Sequence, residues 1–155
     1  MAAFTGVQCV VELGAGTGVY TREVLSRLPE GARFLAFEID GNLAATLDSR
    51  FHDPRLRIIH DSAENLETYL NGDRADIIVS GLPFTSLPLH VRRSILEQAR
   101  EALAPAGVML VLQYSPVIQR ELRSSFGSVR RRVSLLNVPP AFLFACRKTK
   151  AQDDR

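Results

Sequence analysis

Apolar residues along this chain fall into short, nearly continuous runs separated by stretches with helical spacing, and the two patterns alternate from the start. Runs of that kind mark strands buried on both faces, as in a parallel sheet. Residues 8–13, 33–38, 56–60, 75–80 and 108–113 read as five such strands. Between them, residues 19–28 read as a helix stopped by Pro29-Glu30-Gly31. Asp40 caps a helix carrying Leu43, Leu47 and Phe51, and residues 64–70 give a short one. Pro88 opens a helix with Val91, Ile95, Ala99 and Leu103 on one face, ended by Pro105-Ala106-Gly107. Ser115-Pro116 opens another, with Ile118, Leu122 and Phe126 inward. Residues 129–137 and 141–147 are strands joined by Pro139-Pro140, a corner too short for a crossover helix, so this pair is predicted antiparallel. The pattern predicts an α/β, Rossmann-like fold: a seven-stranded, mostly parallel sheet with helices on both faces and a C-terminal antiparallel hairpin. One domain over residues 1–150 and a polar tail over 151–155 account for the whole chain.

Composition narrows this picture. At 155 residues, 46% hydrophobic and 23% charged, the chain suits one domain with a real core. No apolar run approaches the roughly 20 residues needed to span a bilayer, and the first six residues lack the pattern of a secretory signal. Cys9 and Cys146 both fall in apolar strand-like runs, which predicts reduced core cysteines in a cytoplasmic protein. No second Cys or His sits at ligand spacing, so no metal site is expected. His52, His60 and His90 offer no triad, and Ser80, Ser86 and Ser115 lack a G-x-S-x-G elbow, which removes hydrolase chemistry. The net charge of +2 hides an asymmetry: residues 1–90 carry net −5 and residues 91–150 net +8. A basic C-terminal half fits an anionic partner, a phospholipid surface or nucleic acid, and equally a solvated surface in an arginine-rich composition, since lysine occurs only at 148 and 150.

The sharpest chemistry lies in Val10-Val11-Glu12-Leu13-Gly14-Ala15-Gly16-Thr17-Gly18. A strand ends near an acid, then turns into a helix through Gly14, Gly16 and Gly18, a spacing that lets a nucleotide approach the backbone. Ala15 lies within that turn. Glu12 would repel a pyrophosphate and attract an ammonium, which favours S-adenosylmethionine, a nucleoside carrying an amino acid, over a dinucleotide. NAD is the alternative. Glu38, followed by Ile39, ends strand two about where an acid accepts hydrogen bonds from ribose hydroxyls. Asp61 ends strand three, where it can accept from an adenine amine while backbone N–H groups of Ser62 and Ala63 meet the ring nitrogens. Each acid alone reads as readily as a helix cap. Three at successive strand ends make a constellation that capping does not explain.

Strand four ends in Val79-Ser80-Gly81-Leu82-Pro83-Phe84. Amino-methylating enzymes that act on nucleic acid hold an Asn- or Asp-Pro-Pro-aromatic or Asn-Leu-Pro-Tyr motif here, the polar side chain holding the target amine and the ring stacking on a flipped base. Gly81 replaces that acceptor, while Leu82-Pro83-Phe84 keeps the shape, which a plain turn with a core Phe would also do. Together with Glu12 to Gly18, Glu38 and Leu135-Leu136-Asn137-Val138-Pro139-Pro140, this segment resembles the bacterial phospholipid N-methyltransferases, class I methyltransferases similar in turn to the ribosomal RNA adenine dimethylases. The resemblance implies stepwise methylation of phosphatidylethanolamine toward phosphatidylcholine, with S-adenosyl-L-homocysteine as the second product. It implies a cofactor site that includes Ser80, and an acceptor site of Gly81, Leu82, Pro83, Phe84 and Asn137. Tyr114, at the end of strand five, could orient the amine or stay a core aromatic with a wet tip. Arg120, Arg123 and Arg130-Arg131-Arg132 could meet lipid phosphates at the inner face of the membrane. RNA remains the other acceptor. Family members carry an amphipathic segment ahead of strand one, whereas few residues precede Cys9 here, so the cofactor loop is expected to lack that cover, and a cofactor-binding core inactive without such a segment is the third reading.

Overall fold

A computed structural model of the chain describes residues 4–135 and 140–148. Seven strands form one sheet: β1 (Cys9–Leu13), β2 (Arg33–Phe37), β3 (Leu56–Ile59), β4 (Ala75–Ser80), β5 (Leu103–Gln113), β6 (Ser128–Ser134) and β7 (Ala141–Arg147). The helices between them are α1 (Val19–Arg27), α2 (Gly41–Arg50), α3 (Leu66–Leu70), α4 (Leu89–Ala102) and α5 (Gln119–Ser125). Strand order is β3-β2-β1-β4-β5-β7-β6, parallel through β5 and antiparallel where β7 meets β5 and β6. The fold class is the one the hydrophobic pattern predicts.

This order places the site. The chain winds outward from β1 through β2 to β3, then returns to lay β4 on the other side of β1. Leu13 lies beside both Phe37 and Ser80, so the loops after β1, β2 and β4 open at one edge, at the point where the winding reverses.

Alternation along the strands divides the core in two. Val11, Leu13, Phe37, Ile78, Met109, Val111 and Phe144 pack under α3, α4 and α5. Val10, Phe34, Ala36 and Ile77 pack under α1 and α2, against Val24, Leu28 and Leu47. Asp40 caps α2 as predicted, its Oδ1 accepting from Asn42 and Leu43 N–H at 2.9 Å each. Cys9 and Cys146 are both buried free thiols.

Three sequence expectations need correction. Leu103 belongs to β5, paired with Ala75, and not to the preceding helix. Pro105 bars Ala104 from helical backbone, so the chain leaves the helix early and the register shifts between Ala75 and Ile77. Gly107 makes that irregularity possible: a Cβ there would sit 2.9 Å from the Ala75 carbonyl oxygen and 3.0 Å from that of Ala104. The segment at 64–70 is a 3-10 turn, Ala63–Asn65, continued by α3. The predicted strand 129–137 runs instead as Ser128–Ser134, and Asn137 lies outside the described residues.

Candidate cofactor and acceptor site

The loop after β1 is tied to β2 by its own backbone: Gly14 and Ala15 N–H both donate to the Phe37 carbonyl, at 3.0 and 2.9 Å. Gly16 N–H donates to Glu38 Oε2 at 2.7 Å, and Asp40 N–H donates to Glu38 Oε1 at 3.0 Å. Glu38, 8% exposed, thus clamps the loop and keeps further lone pairs for a ligand. Gly14 and Gly16 have φ of 79° and 56°, left-handed values that favour glycine. They differ in surroundings. A Cβ on Gly14 would come 2.7 Å from Leu82 Cδ2, whereas one on Gly16 would meet nothing within 4 Å.

That open space belongs to a cavity of about 370 Å³ bounded by Gly14, Gly16, Phe37, Glu38, Ile39, Asp61, Ser62 and Ala63, with Leu82 and Pro83 opposite. Asp61 is held in place locally. Its carboxylate accepts from Tyr69 Oη at 2.7 Å, Asn65 Nδ2 at 2.9 Å and Ser62 N–H at 2.6 Å. These bonds, Tyr69 foremost, hold the Asp61 pKa below the usual carboxylate value, so it stays an acceptor. One of its four lone-pair sites is left for a ligand amine. Ser62 N–H is spent on Asp61.

A second cavity, about 350 Å³, lies across Gly81-Leu82-Pro83 and is bounded by Tyr20, Thr85, Gln113 and Tyr114 as well. The two cavities share that three-residue wall. Burial pushes the Tyr20 pKa up, with help from Tyr114 and Glu12, so its hydroxyl keeps its proton. No Asp, Glu or His lines this second cavity, the candidate acceptor cavity, among the described residues. Tyr114, 62% exposed, stands at its mouth.

Several predicted site residues lie elsewhere. Glu12 is fully buried on the α1 side of the sheet, where Thr21 Oγ1 donates to its Oε2 at 2.6 Å. Its Oε1 has no partner among the described residues. Burial pushes its pKa up to about 7 against the Thr21 hydrogen bond, with the Glu38 charge adding to the rise. Ala15 packs in the core beneath α1 and α2 with its N–H spent on Phe37, so it contributes neither group to the cavity. Gly18 caps α1 and lies against Phe51. Ser80 is wholly buried, its Oγ accepting from Leu82 N–H at 3.3 Å, and it shapes the wall from beneath. Phe84 is also wholly buried among core residues, and it borders neither of these two cavities. Sequence reasoning missed Tyr20 and Gln113. The second carried a readable signal, a polar residue closing an apolar strand at the same sheet edge as Glu12 and Glu38.

These residues fit the cofactor predicted for them. The cradle at Gly16 is empty of protein atoms, and Glu38 and Asp61 line it with acceptors. Among the described residues no group of His, Cys, Asp or Glu is placed to hold a metal, and no helix is long and apolar enough to cross a membrane.

Residues 10–107 match the family described as methyltransferase domain. The ornithine lipid N-methyltransferase of Singulisphaera acidiphila is 33% identical over 146 residues, 91% of this chain and 76% of that protein. Ribosomal RNA small subunit methyltransferase A of Dehalococcoides mccartyi is 28% identical over 137 residues, and the chain spans only 42% of its length. Among solved structures, Burkholderia thailandensis 1,6-didemethyltoxoflavin-N1-methyltransferase with bound S-adenosylhomocysteine superposes with a TM-score of 0.72 at 17% identity, over 92% of this chain and 71% of that one.

Proposed function

Because the chain belongs to the methyltransferase domain family and is a methyltransferase dependent on S-adenosylmethionine, we propose that it methylates the amine of a lipid head group, with phosphatidylethanolamine as the acceptor. The similarity to an ornithine lipid N-methyltransferase across 91% of the chain carries this reading. S-adenosylmethionine, when bound, supplies an electrophilic methyl group. In this reading Glu38 holds its ribose hydroxyls, Asp61 its adenine amine, and the Gly14–Gly18 turn above Glu12 its amino-acid end. Gly81, which carries no side chain, lies in the wall that the two cavities share. With no carboxylate or imidazole lining the acceptor cavity among the described residues, the amine sheds its proton to solvent before entering in this reading. The enzyme's own contribution is then alignment of a neutral nitrogen. The exposed arginines of β6, Arg130, Arg131 and Arg132, would meet the anionic surface of the cytoplasmic leaflet.

Methylation of ribosomal RNA adenine is the second reading, favoured by the basic C-terminal half and by the Dehalococcoides relative. It suffers at two positions. Gly81 offers no side-chain acceptor, and the Phe84 ring lies in the core instead of beside a flipped base. Labelled S-adenosylmethionine offered separately to phosphatidylethanolamine vesicles and to undermethylated small-subunit RNA decides between them. Label is expected in lipid, and transfer to RNA alone would sink the lipid assignment.

A further inference from the structure

Gln113 closes β5 and is 7% exposed, yet it borders the acceptor cavity. Its Nε2 donates to the Leu82 carbonyl at 2.7 Å and to the Leu112 carbonyl at 2.7 Å. Two carbonyl acceptors fix which end of the amide is nitrogen, since an oxygen there would face two oxygens. Both amide hydrogens are spent, so Oε1 is left as a pure acceptor. It accepts no hydrogen bond among the described residues, and it is not among their sealed-off, unpartnered atoms. A near-buried side chain that borders the cavity therefore keeps one oxygen unbonded and not sealed off, its amide nitrogen locked to the wall residue Leu82 that both cavities share.

We propose that Gln113 is the acceptor-orienting residue of this enzyme: its Oε1 accepts an N–H of the neutral substrate amine and turns the nitrogen lone pair toward the shared wall. The proposal rests on the lipid-amine reading above. It places on β5 the hydrogen-bond acceptor that Gly81 cannot supply from the loop after β4. It also carries a chemical signature. The primary head-group amine has two N–H groups, its N-monomethyl form one and its neutral N,N-dimethyl form, a tertiary amine, none. Gln113 can therefore assist the first two methyl transfers and has nothing to hold in the third.

The test uses the full chain and vesicles containing phosphatidylethanolamine, its monomethyl form or its dimethyl form. Gln113→Met keeps the side-chain length and removes the amide. Binding of S-adenosylhomocysteine, measured by calorimetry, is expected to stay within about twofold of wild type, because Gln113 does not border the cofactor cavity. Transfer to the primary and monomethyl amines is expected to fall about tenfold or more, in line with a lost hydrogen bond to a reacting group. Transfer to the dimethyl amine is expected to stay near wild type. An equal fall on all three acceptors would show that Gln113 merely props the wall, and would overturn the inference while leaving the lipid reading intact. A wild-type enzyme inactive on all three would instead overturn the lipid reading, and this inference with it. Should the Met variant lose S-adenosylhomocysteine binding, Gln113→Asn, which keeps the amide but withdraws it by one methylene, carries the same three-acceptor comparison.

Discussion

Glu12 joins an ordinary requirement of strand geometry to an expensive position. Period-two alternation sends its side chain to the α1 side, where Thr21 meets one oxygen and nothing among the described residues meets the other. Burial raises its pKa from the ordinary 4.5 to about 7. Between those values the folded chain binds more protons than the unfolded one, so ligand-free stability falls as pH rises from about 4.5 to about 7 and stays lower above. Glu12→Gln removes the titration. In urea denaturation the ligand-free variant is expected to match wild type near pH 4 and to exceed it at pH 8, by at most about 3 kcal/mol. Equal stability at both pH values would mean that the carboxyl is solvated.

At the scale of elements, the wall between the cavities is held from outside the site. Arg92 of α4 donates through Nη1 to the Phe84 carbonyl at 3.2 Å, and its Nη2 meets Glu121 Oε1 of α5 at 2.7 Å. Two helices thereby pin the segment that carries Leu82 and Pro83. The pair is largely shielded, with side chains 17% and 34% exposed, and Arg92 Nε and Glu121 Oε2 lack partners among the described residues. Arg92→Met is expected to cost about 1–3 kcal/mol in thermal or urea denaturation, because it strands the Glu121 charge. Adding Glu121→Gln should return part of that loss, and strictly additive losses would deny the coupling.

These two cases show where sequence legibility ends. The glycine turn, Glu38 and Asp61 were readable because each depends on local order, a residue at the end of a strand. The β5 boundary was misread because Leu103 continues the helical spacing of Val91, Ile95 and Ala99 into a strand residue buried on the same face of the sheet. Ala15, Ser80 and Phe84 sit inside the right motifs, but their side chains point into the core. That direction is set by packing against other elements. Tyr20 and Gln113 reach the acceptor cavity from α1 and β5, elements that only the crossover topology brings to the loop after β4.

The whole molecule also carries two thiols in distant parts of its sheet, Cys9 on β1 and Cys146 on β7, both buried. Burial lifts both pKa values, that of Cys146 to about 12, so neither is a thiolate at neutral pH while the fold is closed. An alkylating reagent can reach them only through opening events, which makes each thiol a clock for its own part of the sheet. The glycine turn proposed to cradle the cofactor follows directly on β1, whereas no described residue of β7 borders either of the two cavities. Saturating S-adenosylhomocysteine is therefore expected to slow labelling of Cys9, read by mass spectrometry, while Cys146 keeps its rate. Equal slowing at both would show that the sheet opens only as one unit. The two cysteines, inert in the chemistry, thus let cofactor binding be timed separately in the parallel centre of the sheet and in its antiparallel part.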